Sequence, residues 1–321
     1  MPTREKITSE INLQKIAGQD KIRRKYLALL HKKTNRDTVI YFSAYNIQRS
    51  FLVPSAALSV NQEDIQGFMT SLHKLKGTQL DLIIHSPGGS SEAADQIVQY
   101  LRAKYNHIRA IIPQNAMSAA TMLACAADEI VMGKHSAIGP IDPQIMINMP
   151  NGGQSAMPAH TILQDFYNAK IEIMQNPVLS NSWAPRFSSL PAGYLNFCQQ
   201  LIQQAEEKVK TWLGQYMFQN DNEGKAERVA KWLADFSQHR THGRPIGIDL
   251  AREKGLIVTP LEADQELQEA VLSVFHATMA TFQTTGCLKV IENHLGKGLY
   301  VTVGPPSQPQ SSLVNSAWPT S

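Results

Sequence analysis

Between Asp81 and Gln144 the chain carries three short apolar runs, each leading into a turn rich in Gly, Pro, Ser or Ala. Leu82-Ile83-Ile84 leads into His85-Ser86-Pro87-Gly88-Gly89-Ser90-Ser91. The run from Ile108 to Ile112 leads into Pro113-Gln114-Asn115-Ala116-Met117-Ser118-Ala119-Ala120. Glu129-Ile130-Val131-Met132 leads into Ile138-Gly139-Pro140-Ile141-Asp142-Pro143-Gln144. Helical stretches separate the runs. Strands alternating with helices require a parallel sheet with right-handed crossovers, so successive strand–helix turns gather at one edge of the sheet.

Those turns have the residues that acyl-transfer chemistry needs. Pro87 fixes φ and removes a donor. Gly88 and Gly89 can take backbone angles closed to other residues and leave room for a substrate. Ser90 or Ser91 fits an N-cap, with Glu92 in the first turn. Amides at such a helix start favour negative charge. An oxyanion site built this way is worth roughly 2.7–4 kcal/mol per donor. Ser118 stands at the next turn among small residues, where the Ala119 amide is a further candidate donor. Two roles fit Ser118, an N-cap or a nucleophile; the Gly-Gly turn one unit earlier favours the nucleophile. Neither phosphate-binding glycine pattern, Gly-x-x-x-x-Gly-Lys or Gly-x-Gly-x-x-Gly, occurs. Ser118 also lacks the Gly-x-Ser-x-Gly setting of α/β-hydrolases.

Asp81 to Gly89, Ala116 to Met122, Ala127 to Ile130 and Gly139 to Gln144 together resemble the Clp-fold serine peptidases, the group of ClpP and signal peptide peptidase SppA. Within that group they resemble the serine dehydrogenase proteinase family. Weaker likenesses occur at Met157-Pro158-Ala159 and Thr241 to Ile246, and the resemblance runs from about Tyr41 to Val258. It implies a ClpP/crotonase-type β-α superhelix, Ser118 as nucleophile and backbone oxyanion donors near Gly88 and Gly89. It also implies a homo-oligomer, a trimer or a multiple of one.

The base is less direct. In ClpP-like enzymes a histidine follows the serine by some two dozen residues; here Asp142 stands 24 residues after Ser118. The ClpP acid precedes a helix ending in Gly-Leu, and here that neighbourhood holds Thr241-His242-Gly243. A Ser118–His242–Asp142 triad with histidine and aspartate exchanged follows, since geometry and not chain order defines a triad. Asp142 as a turn-forming residue and His242 as a loop histidine stay open beside it. SppA-type relatives use a lysine, for which Lys170 is the candidate; His160 is another. His85 and His135 read as structural.

Composition narrows the setting. With 43% hydrophobic residues the 321-residue chain can bury a core. Its charge of +3 offers no attraction to nucleic acid. Cys125, Cys198 and Cys287 have neither zinc nor disulfide spacing, and no metal or cofactor is expected. No apolar run reaches the ~18–20 residues of a membrane span, and the first residues lack a signal-peptide core, so a cytoplasmic protein is expected.

The remaining chain divides into a helical extension over 1–36, a catalytic domain over 37–260, a helical C-terminal segment over 261–303 and a disordered tail over 304–321. Arg23-Arg24-Lys25 reads as a solvated face. Segment 145–160 reads as a hairpin or loop, 161–178 as a helix, and the Ser-, Pro- and Asn-rich 179–192 as a loop. Long helices are expected over 193–219 and 223–236. The function expected is an ATP-independent serine peptidase acting on a peptide or protein. A crotonase-like acyl-CoA enzyme and a degenerate peptide-binding scaffold are the alternatives.

Overall fold

A computed structural model describes residues 18–47, 53–148, 153–188, 190–219, 221 and 223–303, with Ile7 and Glu10. The 304–321 tail and most of the chain before Gly18 lie outside the described residues. In chain order the main elements are α1 (Gly18–Thr34), β1 (Asp37–Ser43), α2 (Asp64–Leu72), β2 (Gln79–His85), α3 (Ser91–Arg102), β3 (His107–Ile112), α4 (Ala119–Cys125) and β4 (Glu129–Met132). Then come a hairpin, β5 (Gln144–Asn148) and β6 (Gln154–Pro158), and the helices α5 (Ala159–Gln175), α6 (Ser180–Ser188), α7 (Tyr194–Gln215), α8 (Lys225–Ala234) and α9 (Ile248–Glu253). The chain closes with β7 (Val258–Pro260), α10 (Gln265–Thr284), β8 (Cys287–Asn293) and β9 (Gly298–Thr302).

A seven-stranded sheet runs in the order β9-β8-β1-β2-β3-β4-β7. From β1 to β7 every pairing is parallel, and each crossover adds a strand on the same side. This is the winding expected of a β-α superhelix. Alternation along the strands builds a core on each face. Val39, Tyr41, Leu82 and Ile84 join one cluster, which α2, α3, α4 and α8 cover. Ile40, Phe42 and Ile83 join the other, under α1 and α10. Each such side chain contributes roughly 1.5–3 kcal/mol on burial.

Three expectations need correction. The C-terminal segment is helical only to Thr284; β8 then pairs antiparallel with β1, and β9 with β8. Residues 179–192 are mostly helix: Ser180–Ser188 forms α6 with Pro185 inside it. Stacking of Trp183 on Phe187, at 5.8 Å, offsets its polar composition. Arg23 is not part of a solvated face, whereas Arg24 is half-exposed and Lys25 exposed. Arg23 is fully buried and its Nε donates to Glu292 at 2.6 Å; the Nε of Arg24 donates to the other Glu292 oxygen at 2.7 Å. Burial disfavours these charges, but Glu292 outweighs it and holds both guanidinium pKa values above the ordinary range. The pair fastens α1 to β8. By contrast, the expected hairpin over 145–160 is present as β5–β6.

Candidate active site

Two turns meet at the carboxyl edge of the parallel strands. The Ser86 amide donates to the Asn115 carbonyl and the Met117 amide to the Ser86 carbonyl, both at 3.0 Å. The glycine turn thus lies directly against the serine turn. Gly88 has φ +91°, and a Cβ there would come within 2.4 Å of the Met117 oxygen and 2.6 Å of the Ser118 Cβ. Only glycine allows this approach.

Ser118 has φ +52° and ψ −123°, and its side chain makes no capping bond to α4. Positive φ is uncommon for a serine, and strain of this kind is held where the surroundings impose it. Ser90, one unit earlier, does cap its helix, accepting from the Ala93 amide at 3.0 Å. The N-cap reading therefore holds for Ser90 and fails for Ser118.

Asp142 arrives on the loop after β4. The Thr121 hydroxyl donates to the Ala116 carbonyl at 2.7 Å and accepts from the Gly139 amide at 2.9 Å, which ties that loop to the serine turn. Ile138 and Ile246 exchange backbone hydrogen bonds at 3.1 and 2.8 Å. That exchange brings the 241–245 segment alongside. As a result His242 Nδ1 lies 2.8 Å from Asp142 Oδ1 although the residues are 100 apart in sequence. Gln144 donates to the other Asp142 oxygen at 2.7 Å. Asp142 is 1% exposed. A sealed carboxylate accepting from Nδ1–H leaves Nε2 of the imidazole as the basic nitrogen.

Gly88, Gly89, Ser118, Ala119, Asp142 and His242 all line one cleft of about 480 Å³. Ser118 and His242 share this cleft with no direct hydrogen bond between them among the described residues, a contact that commonly tightens only with substrate. The Gly88 amide donates to the Ser86 hydroxyl at 3.2 Å. The amides of Gly89 and Ala119 have no acceptor among the described residues. Met122, Ile141, Met146 and Leu201 give the cleft an apolar wall, and Glu92 stands at its rim. Burial opposes the Glu92 charge, but its own amide, the Ser90 and Ser91 hydroxyls and Lys208 hold its pKa below the usual range.

Lys170 is exposed on α5, and neither it nor His160 lines the cleft. Burial lowers the His160 pKa, against the opposing influence of Asp142. His85 is buried among Phe42, Tyr45 and Phe275, where burial pushes its pKa down to about 3. His135 meets the Pro113 carbonyl at 2.9 Å. Burial drives the Cys125 thiol up to about 12, where it stays protonated and inert. Sequence reasoning missed the roles of Ser86 and Gln144. Both lie inside the stretches Asp81 to Gly89 and Gly139 to Gln144, two residues from Gly88 and from Asp142.

Residues 24–178 match the family described as ClpP-like SDH-type serine proteinase. Uncharacterized protein MJ1495 of Methanocaldococcus jannaschii is 33% identical over 181 residues, 56% of this chain and 51% of the relative. Uncharacterized protein MJ0137 of the same organism is 30% identical over 183 residues, 57% and 54% of the two chains. The chain thus spans about half the length of the curated relatives it matches. A mutant form of the 1510-N membrane-bound stomatin-specific protease aligns with 63% of this chain and 75% of its own, at 15% identity and a TM-score of 0.36. The family match contains Gly88, Gly89, Ser118 and Asp142 and ends before His242.

Proposed function

We propose, from the premise that residues 24–178 belong to the ClpP-like SDH-type serine proteinases, that this protein is an ATP-independent serine peptidase acting through Ser118. The observation that carries the reading is the His242–Asp142 pair in the same cleft as a strained serine that does not cap its helix. Ser118 Oγ attacks the peptide carbonyl while His242 Nε2 takes its proton. Asp142 holds the tautomer and stabilises the imidazolium that forms. The unbonded Gly89 and Ala119 amides receive the oxyanion; the Gly88 amide, turned to Ser86, shapes the turn. His242 returns the proton to the leaving amine, and water releases the acyl group by the reverse steps. The apolar wall suits an apolar side chain of the substrate.

Homo-oligomerisation belongs to the same proposal. Tyr167, Ile171, Met174 and Val178 are exposed from the middle of α5 to just past its end, Met174 at 77%, which suits a face where copies meet. A cytoplasmic setting remains part of the proposal. No described helix is long and apolar enough to cross a membrane.

The test is covalent labelling by a fluorophosphonate: an Oγ–P bond forms, the P–F bond breaks, and fluoride leaves. Wild type is expected to label and Ser118→Ala to stay unlabelled, with peptide hydrolysis down by at least ~10⁴-fold. Equal labelling of the two would remove Ser118 as the nucleophile.

A further inference from the structure

The oxyanion turn is held from outside the family-matched residues, by a lysine on the C-terminal strand β8. Lys289 is 1% exposed, an unusual position for an ammonium. Its Nζ donates to Asp64 Oδ1 and to the Ser59 carbonyl, each at 2.7 Å. Asp64 Oδ2 accepts from the Tyr41 hydroxyl at 2.6 Å and from the Asn61 amide at 3.0 Å. The lysine and its aspartate therefore grip the residues on both sides of Val60.

Val60 in turn brackets Gly89. Its amide donates to the Gly88 carbonyl at 2.8 Å, and its carbonyl accepts from the Ser90 amide at 2.9 Å. In a trans peptide, C=O and the following N–H point in opposite directions. No cis peptide bond occurs in the described chain. Fixing the Gly88 carbonyl on Val60 therefore aims the Gly89 N–H the other way, toward the cleft that Gly89 lines. A second buried hydrogen bond reaches the same turn. On the far side of the Gly88 peptide, the Ser86 hydroxyl accepts from the Gly88 amide at 3.2 Å. Tyr41, Asp64 and Ser86 are all buried, so no water competes for these bonds.

We propose that Lys289 is a positioning residue for the oxyanion site: through Asp64 and Ser59 it fixes Val60, and Val60 fixes the direction of the Gly89 amide. This role rests on the peptidase reading above. It does not involve contact between Lys289 and substrate. A lysine that only filled the core would influence stability and leave the reaction of Ser118 alone.

Three proteins separate these cases, each measured for fluorophosphonate labelling rate and melting temperature. Lys289→Met is expected to label about 10–100-fold more slowly, the range for loss of a supporting group or a shift of about 1 Å. It also leaves Asp64 without its cation, so it is expected to melt lower. The double variant Lys289→Met with Asp64→Asn buries no unpaired charge. Its melting temperature is expected to recover while its labelling stays slow, because the ammonium that joined residue 64 to the Ser59 carbonyl is gone. A double variant that labels at the wild-type rate would overturn the positioning role and leave the peptidase reading intact. Wild type that fails to label would overturn the peptidase reading, and the role of Lys289 with it.

Discussion

Asp81 and Asp142 are both sealed from solvent, and they differ in what faces them. Asp81 lies near the start of β2 and is clasped by Arg36 at 2.7 Å and by Arg109 at 2.8 and 2.9 Å. Asp142 lies at the opposite edge of the sheet and faces one imidazole and one amide. Guanidinium stays charged throughout the working pH range, so Asp81 joins a fixed network. An imidazole can gain and lose a proton, so the partner of Asp142 can change charge. Burial of a carboxylate therefore does not mark a site. A buried carboxylate whose partner can exchange a proton with the cleft does.

Replacing each carboxylate by its amide separates the two roles. Asp142→Asn is expected to slow labelling by about 10⁴-fold, the size seen when a triad histidine is held in the wrong tautomer. Its melting temperature should change little, since the amide retains an acceptor and its neighbour is not a fixed cation. A labelling rate within tenfold of wild type would break the distinction. Asp81→Asn is expected to do the reverse. It leaves two arginines facing a neutral group, which costs about 3 kcal/mol of stability in urea melts. Labelling of the folded fraction should match wild type, and slowed labelling would show that the two edges of the sheet are coupled.

A histidine with no carboxylate partner sharpens the contrast. His85 is buried and neutral, its pKa pushed down to about 3 from an ordinary 6.5. The unfolded chain binds this proton first as pH falls. The stability His85 supports is complete above pH 6.5 and is lost as pH drops through the window toward 3, roughly 2 kcal/mol of it by pH 5. His85→Phe, set among Phe42 and Phe275, is expected to flatten the melting temperature over that window. An unchanged acid slope would place the sensitivity on other groups.

The sequence disclosed the local part of this molecule well. β1 to β4, the glycine turn and the serine turn each form from neighbouring residues, so apolar runs and small-residue turns revealed them. What stayed hidden depends on distant partners. β8 was missed because Lys289 and Glu292 interrupt its apolar pattern, and their partners Asp64 and Arg23 lie 225 and 269 residues away. Arg23 was read as solvated for the same reason. α6 was read as a loop from its serines and proline, since aromatic stacking does not register in local propensity. His242 was reachable only through a family likeness and the exchange of two positions, because one bond across 100 residues leaves no local pattern.

The place of β8 beside β1 also bears on synthesis. β1 ends at Ser43, and the strand that flanks it begins at Cys287, so some 240 residues must be made between the two. At 5–20 residues per second that interval is roughly 12–50 s. Throughout it, the edge of β1 away from β2 waits for β8, and Asp64 waits for the Lys289 ammonium. Ser118, Asp142 and the glycine turn are all translated well before that strand. A ribosome carrying this chain therefore exposes Ser118, Asp142 and the glycine turn well before β8 brings Lys289 to Asp64.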